Sequence, residues 1–297
     1  MSELKDSRHV DVSLARQLKS LPSASNSDTM KPSPKLLFAA AMVALFSSTA
    51  AAEAIVAAQY ATPVARYGHF ALGQPHEYAR VRATTDKGRS LELELPQDEV
   101  FEDLAPRLVR LHTQEPAELL AIVSRRQDGA RLVMLRLSAD RLEVAAESPP
   151  IGTPMRWLNP IGVVDLDADG RSEIAIVSTP HIGGTLRVYQ RSGKKLVEIA
   201  ALAGFSNHVN GSPELGLSGA LPLAGRMHLL VPDTTRRHLR LIALQGGRLV
   251  ESGRCPLPAP VTGAMQVLGP STVSVGLTTG RHQIALNDCL ASQVPGR

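Results

Sequence analysis

Near the middle of the chain, Asp165-Leu166-Asp167-Ala168-Asp169-Gly170-Arg171-Ser172-Glu173 has the composition of a cation-binding loop. Carboxylates at alternate positions can curl onto one hard cation, and a glycine after the third permits the sharp turn that makes them converge. In that scheme Asp165, Asp167 and Asp169 supply carboxylates, Arg171 a backbone carbonyl, and Glu173 the last carboxylate. An all-oxygen, strongly negative ligand set favours Ca²⁺ over transition metals. An EF-hand needs a glutamate at its twelfth position; here that residue is Ile176, inside an apolar run, so the expectation is a loop between strands. The alternative is an Asp/Gly turn without metal, in which three aspartates repel one another uncompensated.

Other chemistry-bearing residues are scattered. The nine histidines form no H-E-x-x-H, H-x-H or Cys/His cluster, so a zinc site is unsupported. There is no G-x-S-x-G and no phosphate-cradling G-x-x-x-x-G-K-[ST]. Three segments are rich in special residues: PMRWLNP with Arg156 and Trp157, the only tryptophan; TPHIGG with His181; and GFSNHVNGSPEL with Asn207 and His208. They are candidates for a ligand-binding mouth; the competing reading is packing and turn chemistry, since a lone tryptophan is more often core than platform. Arg236, Arg237 and Arg240 read as a solvated rim more readily than as an anion site.

The elements that must position these residues repeat. Segments starting at Arg110, Asp165 and Ala220, each 55 residues apart, run from a polar turn into an apolar strand: Leu119 to Val123, Ile174 to Val177, Leu229 to Val231. Each is followed by two short strands joined at SAD, RSGK and QGG, with period-2 alternation in LRVYQ and LVEIA of the second. A shorter fourth unit (264–286) lacks its last strand, and 78–95 resembles a back half without a front. The fold class expected is all-β: a β-propeller of four-stranded blades, five preferred and four possible. The incomplete end units are expected to share one blade and close the ring. A β-sandwich or open β solenoid is the rival.

The segment VVDLDADGRSEIAIVSTPHIGGTLRVY (163–189) resembles the FG-GAP/VCBS repeat, the kind found in integrin α-chain propellers and secreted bacterial proteins. The resemblance is specific in that unit and weaker elsewhere over 108–286. It implies a structural Ca²⁺ held by Asp165, Asp167, Asp169, Arg171 and Glu173. The sister units have Arg110, His112 and Gln114, or Ala220, Pro222 and Ala224, or Ala264, Gln266 and Leu268 at the carboxylate places, so one metal site is expected.

Residues 1–29 are a polar leader, read as an upstream start, and 30–54 have the three parts of a secretory signal: Lys31 and Lys35, an apolar run from Leu36 to Phe46, then small residues with cleavage after Ala52 or Ala54. Residues 55–297 are read as one domain, periplasmic or secreted, with no stable membrane span after cleavage. Cys255 and Cys289 both lie in this part, and an oxidising compartment permits one disulfide between them. Of 297 residues 43% are apolar, enough for a packed core. Aromatic residues are 3% and the net charge of +4 is dispersed, which argues against nucleic acid as a partner. The reading is an exported, calcium-stabilised binding or scaffold module for a protein or glycan partner. The alternative is a propeller hydrolase or lyase with its site in a central channel, which a cluster of carboxylate, His and Arg with shifted pKa values would favour.

Overall fold

The computed structural model describes residues 52–290. The leader and nearly all of the secretory signal lie outside these residues. The described chain is all-β, with one 3₁₀ turn at Leu286–Cys289. No helix among the described residues is long and apolar enough to cross a membrane.

The strands follow one another as antiparallel meanders. The first contains β1 (Ile55–Val64), β2 (Glu77–Thr85) and β3 (Ser90–Glu94), and β4 (Glu99–Phe101) leads out of it. The second is β5 (Arg107–Val109), β6 (Glu118–Arg125), β7 (Gly129–Ser138) and β8 (Arg141–Glu147). The third is β9 (Leu158–Val164), β10 (Glu173–Ser178), β11 (Gly184–Ser192) and β12 (Lys195–Phe205). The fourth is β13 (Gly219–Leu223), β14 (Arg226–Pro232), β15 (His238–Gln245) and β16 (Arg248–Pro256). The fifth has three strands, β17 (Val261–Gly269), β18 (Thr272–Leu277) and β19 (Gly280–Ala285).

Narrow bridges join the first three meanders into one twelve-stranded mixed sheet. Tyr78 of β2 pairs with Phe101 of β4, which also pairs with Val123 of β6, and Lys195 of β12 pairs in parallel with Glu147 at the end of β8. The fourth and fifth meanders are separate sheets.

Alternation along the central strands divides the core into layers, because successive side chains point to opposite faces of a sheet. In β6, Leu119, Ala121 and Val123 pack against the first meander, while Leu120 and Ile122 pack against the third. In β10, Ile174 and Ile176 face the second meander, while Ala175 and Val177 face the fourth. The last layer joins the fourth meander to the fifth through Leu230, Leu241, Val273 and Val275. Each central strand is buried on both faces and reads as a continuous apolar run.

The expected shared closing blade is not formed. Among the described residues β1 pairs only with β2, and the fifth meander contains no N-terminal strand. Side-chain chemistry explains this. The outer face of the first meander is a charged ladder, with Arg80–Glu94 at 2.8 Å and Arg82–Glu92 at 2.6 Å. The outward residues of the fifth include Gln266, Arg281 and Gln283, all exposed. These charged and polar side chains oppose burial at such a seam, while Val267 and Leu268 of β17 also stay exposed. A disulfide between Cys255 in β16 and Cys289, with Cα atoms 4.9 Å apart, fastens the end of the fifth meander to the fourth.

Candidate metal centre

The acidic loop joins β9 to β10, where Val164 pairs with Glu173. Buried Leu166 anchors it in the apolar layer between the third and fourth meanders, and Ser172 N donates to Leu111 O at 2.9 Å. Gly170 has φ +86°, a conformation that costs a side chain strain. Asp165 Oδ2 accepts from Gly170 N at 2.9 Å, and Asp165 Oδ1 accepts from Asp169 N at 3.2 Å. These bonds curl the loop back over its first residue.

Carboxylate oxygens of Asp165, Asp167 and Glu173 lie within 4.8 Å of one another. Asp167 is exposed, Asp165 half-buried, and Glu173 has 0% exposure. Glu173 Oε2 accepts from Leu166 N at 2.9 Å, but its buried Oε1 has no partner. Burial, and then the neighbouring charges of Asp167, Asp169 and Asp165, push the Glu173 carboxyl up to about 6 against the opposing Leu166 bond. A buried carboxylate oxygen without a donor is costly, and a cation among the three carboxylates would satisfy it. The residues therefore fit an oxygen-ligated divalent ion. Asp169 is outside the group of three: its Oδ1 accepts from Arg171 N at 2.8 Å, so both residues shape the turn.

Of the other sequence candidates, three come together. Trp157 is buried, its Nε1 donating to Glu102 O at 2.8 Å, with ring centroids 4.9 Å from His208 and 6.0 Å from His181. His208 Nε2 lies 2.8 Å from Ser212 O and so carries the proton, which leaves Nδ1 to accept from His181 Nε2 at 2.6 Å. Burial, followed by the charges of His208, His69 and Arg236, pushes His181 down to about 4. Burial also lowers His208. Asn207 is buried and pins the linker after β12, donating to Asn159 O at 3.3 Å and Ser218 Oγ at 3.1 Å. Arg156 does not join the cluster through its side chain, whose Nη1 donates to Met155 O at 3.0 Å. Arg240 is not the solvated rim residue expected. It is 9% exposed, stacked 4.1 Å from the Phe205 ring centre and paired with Glu251 at 2.6 Å.

A second buried polar group was not foreseen. His69 Nδ1 lies 2.6 Å from Glu102 Oε1, and Ser124 Oγ donates to Glu102 Oε2. Glu77 accepts from the backbone of Gly68 and His69, both at 3.1 Å. Burial raises Glu102, and it raises the Tyr67 hydroxyl to about 12. These residues come from well-separated segments that the pairing of β2, β4 and β6 brings together, so no sequence spacing signals them. The cavity beside Glu77 and Glu102 measures only ≈ 10 Å³, about one water probe, so this polar group is packed.

No protein-family model matches the chain, and no curated protein matches it.

Proposed function

We propose that the protein is an exported binding or scaffold module, an array of propeller-type blades of the FG-GAP/VCBS kind, held in part by one structural Ca²⁺. The observation that carries the metal is the buried, unpartnered Oε1 of Glu173, a residue whose carboxylate groups with those of Asp165 and Asp167. Those three residues would hold the ion, which supplies charge compensation and no reaction step. Four-stranded meanders with apolar layers between successive neighbours support the blade reading. The clusters link each of the five meanders to the next, and no apolar cluster among the described residues links the fifth back to the first. Export is supported by the disulfide, which persists in oxidising compartments.

A binding role is favoured over catalysis because the cavity beside the buried Glu77 and Glu102 measures only ≈ 10 Å³. Pairing of surface arginines with glutamates, as at Arg80, Arg82, Arg136 and Arg187, supports a protein or glycan partner over a polyphosphate. Thermal unfolding in EDTA and in millimolar CaCl₂ tests the metal reading. Stability should rise with free calcium in the wild type and not in Asp167→Ala. Superimposable wild-type curves would refute it.

A further inference from the structure

The seams on the two sides of the third meander begin from the same parts and end differently. Arg240 pairs with Val231 and faces the third meander, as Arg187 pairs with Ile176 and faces the second. Each arginine is tied across its sheet to a glutamate, Arg240 to Glu251 and Arg187 to Glu198. In the seam with the fourth meander, Phe205 covers the guanidinium at 4.1 Å, and the Arg240 side chain is 11% exposed. In the seam with the second meander no ring among the described residues covers the Arg187 guanidinium; Ile151, from the segment after β8, lines the cleft there. The Arg187 side chain is 35% exposed.

The result is a cleft of ≈ 720 Å³, within the range of small-molecule sites. Its floor is apolar, including Leu158, Ile176 and Leu196; of the five Arg or Lys in its lining, Arg125, Arg131 and Arg187 are paired with carboxylates, which leaves the two lysines in excess. Lys194 and Lys195 at its edge make no ion pair among the described residues. The Tyr189 hydroxyl, also in the lining, has no hydrogen bond there among the described residues.

We propose that this cleft binds a small aromatic carboxylate, its ring covering Arg187 as Phe205 covers Arg240 and its charge drawn to Lys194 and Lys195. The neighbouring seam is the internal template. A guanidinium attracts an aromatic face, the apolar floor takes the ring's other contacts, and the cation excess selects an anion. This inference rests on the binding-module reading but not on the metal, since none of Asp165, Asp167 and Glu173 lines the cleft.

The test is calorimetric titration of the full chain with 2-naphthoate, with cyclohexanecarboxylate as the non-aromatic anion and 2-naphthylmethylammonium as the cationic aromatic. The expected result is one 2-naphthoate site per chain, weaker by about tenfold for cyclohexanecarboxylate, and no binding of the cation. Ile151→Phe should fill the cleft and abolish binding while keeping the wild-type melt and its calcium dependence. If that variant does not fold, Lys194→Glu/Lys195→Glu, which alters only exposed side chains, must weaken 2-naphthoate severalfold and reduce its salt dependence. No binding at millimolar 2-naphthoate, or binding undiminished in the variants that fold, would overturn the proposal. Naphthoate binding by a protein whose melt ignores calcium would refute the metal reading and leave this one standing.

Discussion

The third and fourth meanders connect their first two strands at the same place by different means. In the fourth, Ala224 and Gly225 form a two-residue turn with φ +51° and +74°, a left-handed pair that suits a hairpin. In the third, residues 165–172 bridge the gap and bring the carboxylates of Asp165 and Asp167 to that of Glu173, one of whose oxygens is buried without a donor. One connection is complete with backbone chemistry alone; the other carries a charge problem that the polypeptide does not solve. Beyond the fourth meander, the chain end is secured covalently by Cys255–Cys289. The two regions should therefore respond to different reagents.

The largest expected effect is on the disulfide side. Closing a loop of 34 residues restricts the unfolded chain by about 3 to 4 kcal/mol on the chain-entropy model. Cys255→Ser/Cys289→Ser should lower stability by about that amount in denaturant titrations, equally in EDTA and in calcium. A calcium-dependent loss would mean that the two regions are not independent.

Calcium comes next. At free ion about 100-fold above Kd, mass action adds on the order of 2.7 kcal/mol, and exported sites commonly work near 10⁻⁴ to 10⁻³ M. Glu173→Gln removes the buried charge, so it should stabilise the protein in EDTA and lose the calcium response. Chemical denaturation with and without the ion reads both signs.

Through His181 acid should weaken the fold, while Glu173, raised to about 6, acts in the opposite direction. His181 is held neutral in the fold at about 4 against its ordinary 6.5, so the unfolded chain takes up a proton first as pH falls. Its contribution is complete above about pH 6.5 and is lost as pH falls toward 4. Such a shift corresponds to up to about 3 kcal/mol, and partial exposure brings the expectation to about 2. Urea midpoints measured from neutral pH down toward 5 should fall less in His181→Gln than in the wild type. Equal slopes would contradict the assignment.

The smallest effect separates the two connections. Gly225→Ala and Gly170→Ala each place a side chain at positive φ, with no heavy atom within 4 Å of the added Cβ. Each should cost about 1 kcal/mol in EDTA. In calcium the Gly225 variant should keep that cost, while the Gly170 variant should lose metal-derived stability as well.

The sequence made the central strands legible because Leu119–Val123 and Ile174–Val177 are apolar on both faces, as strands between two layers must be. The acidic loop was legible from its spacing, although exposed Asp169 accepts from Arg171 N instead of joining the three carboxylates. The first strand, Ile55–Val64, escaped because alanines and Pro63 blur its alternation, and β4 is only three residues long. The charged outer face of the first meander was legible in Arg80, Arg82, Glu92 and Glu94, which recur with period 2. The cleft beside Arg187 could not be read, because it depends on which residue lies across a seam between sheets.

Equilibrium dialysis of the protein against ⁴⁵Ca²⁺ tests the central claim most directly. The account predicts one ion per chain at saturation, with the site lost in Glu173→Gln and kept in Gly225→Ala. No bound calcium at millimolar free ion, or the same stoichiometry after Glu173→Gln, would contradict it.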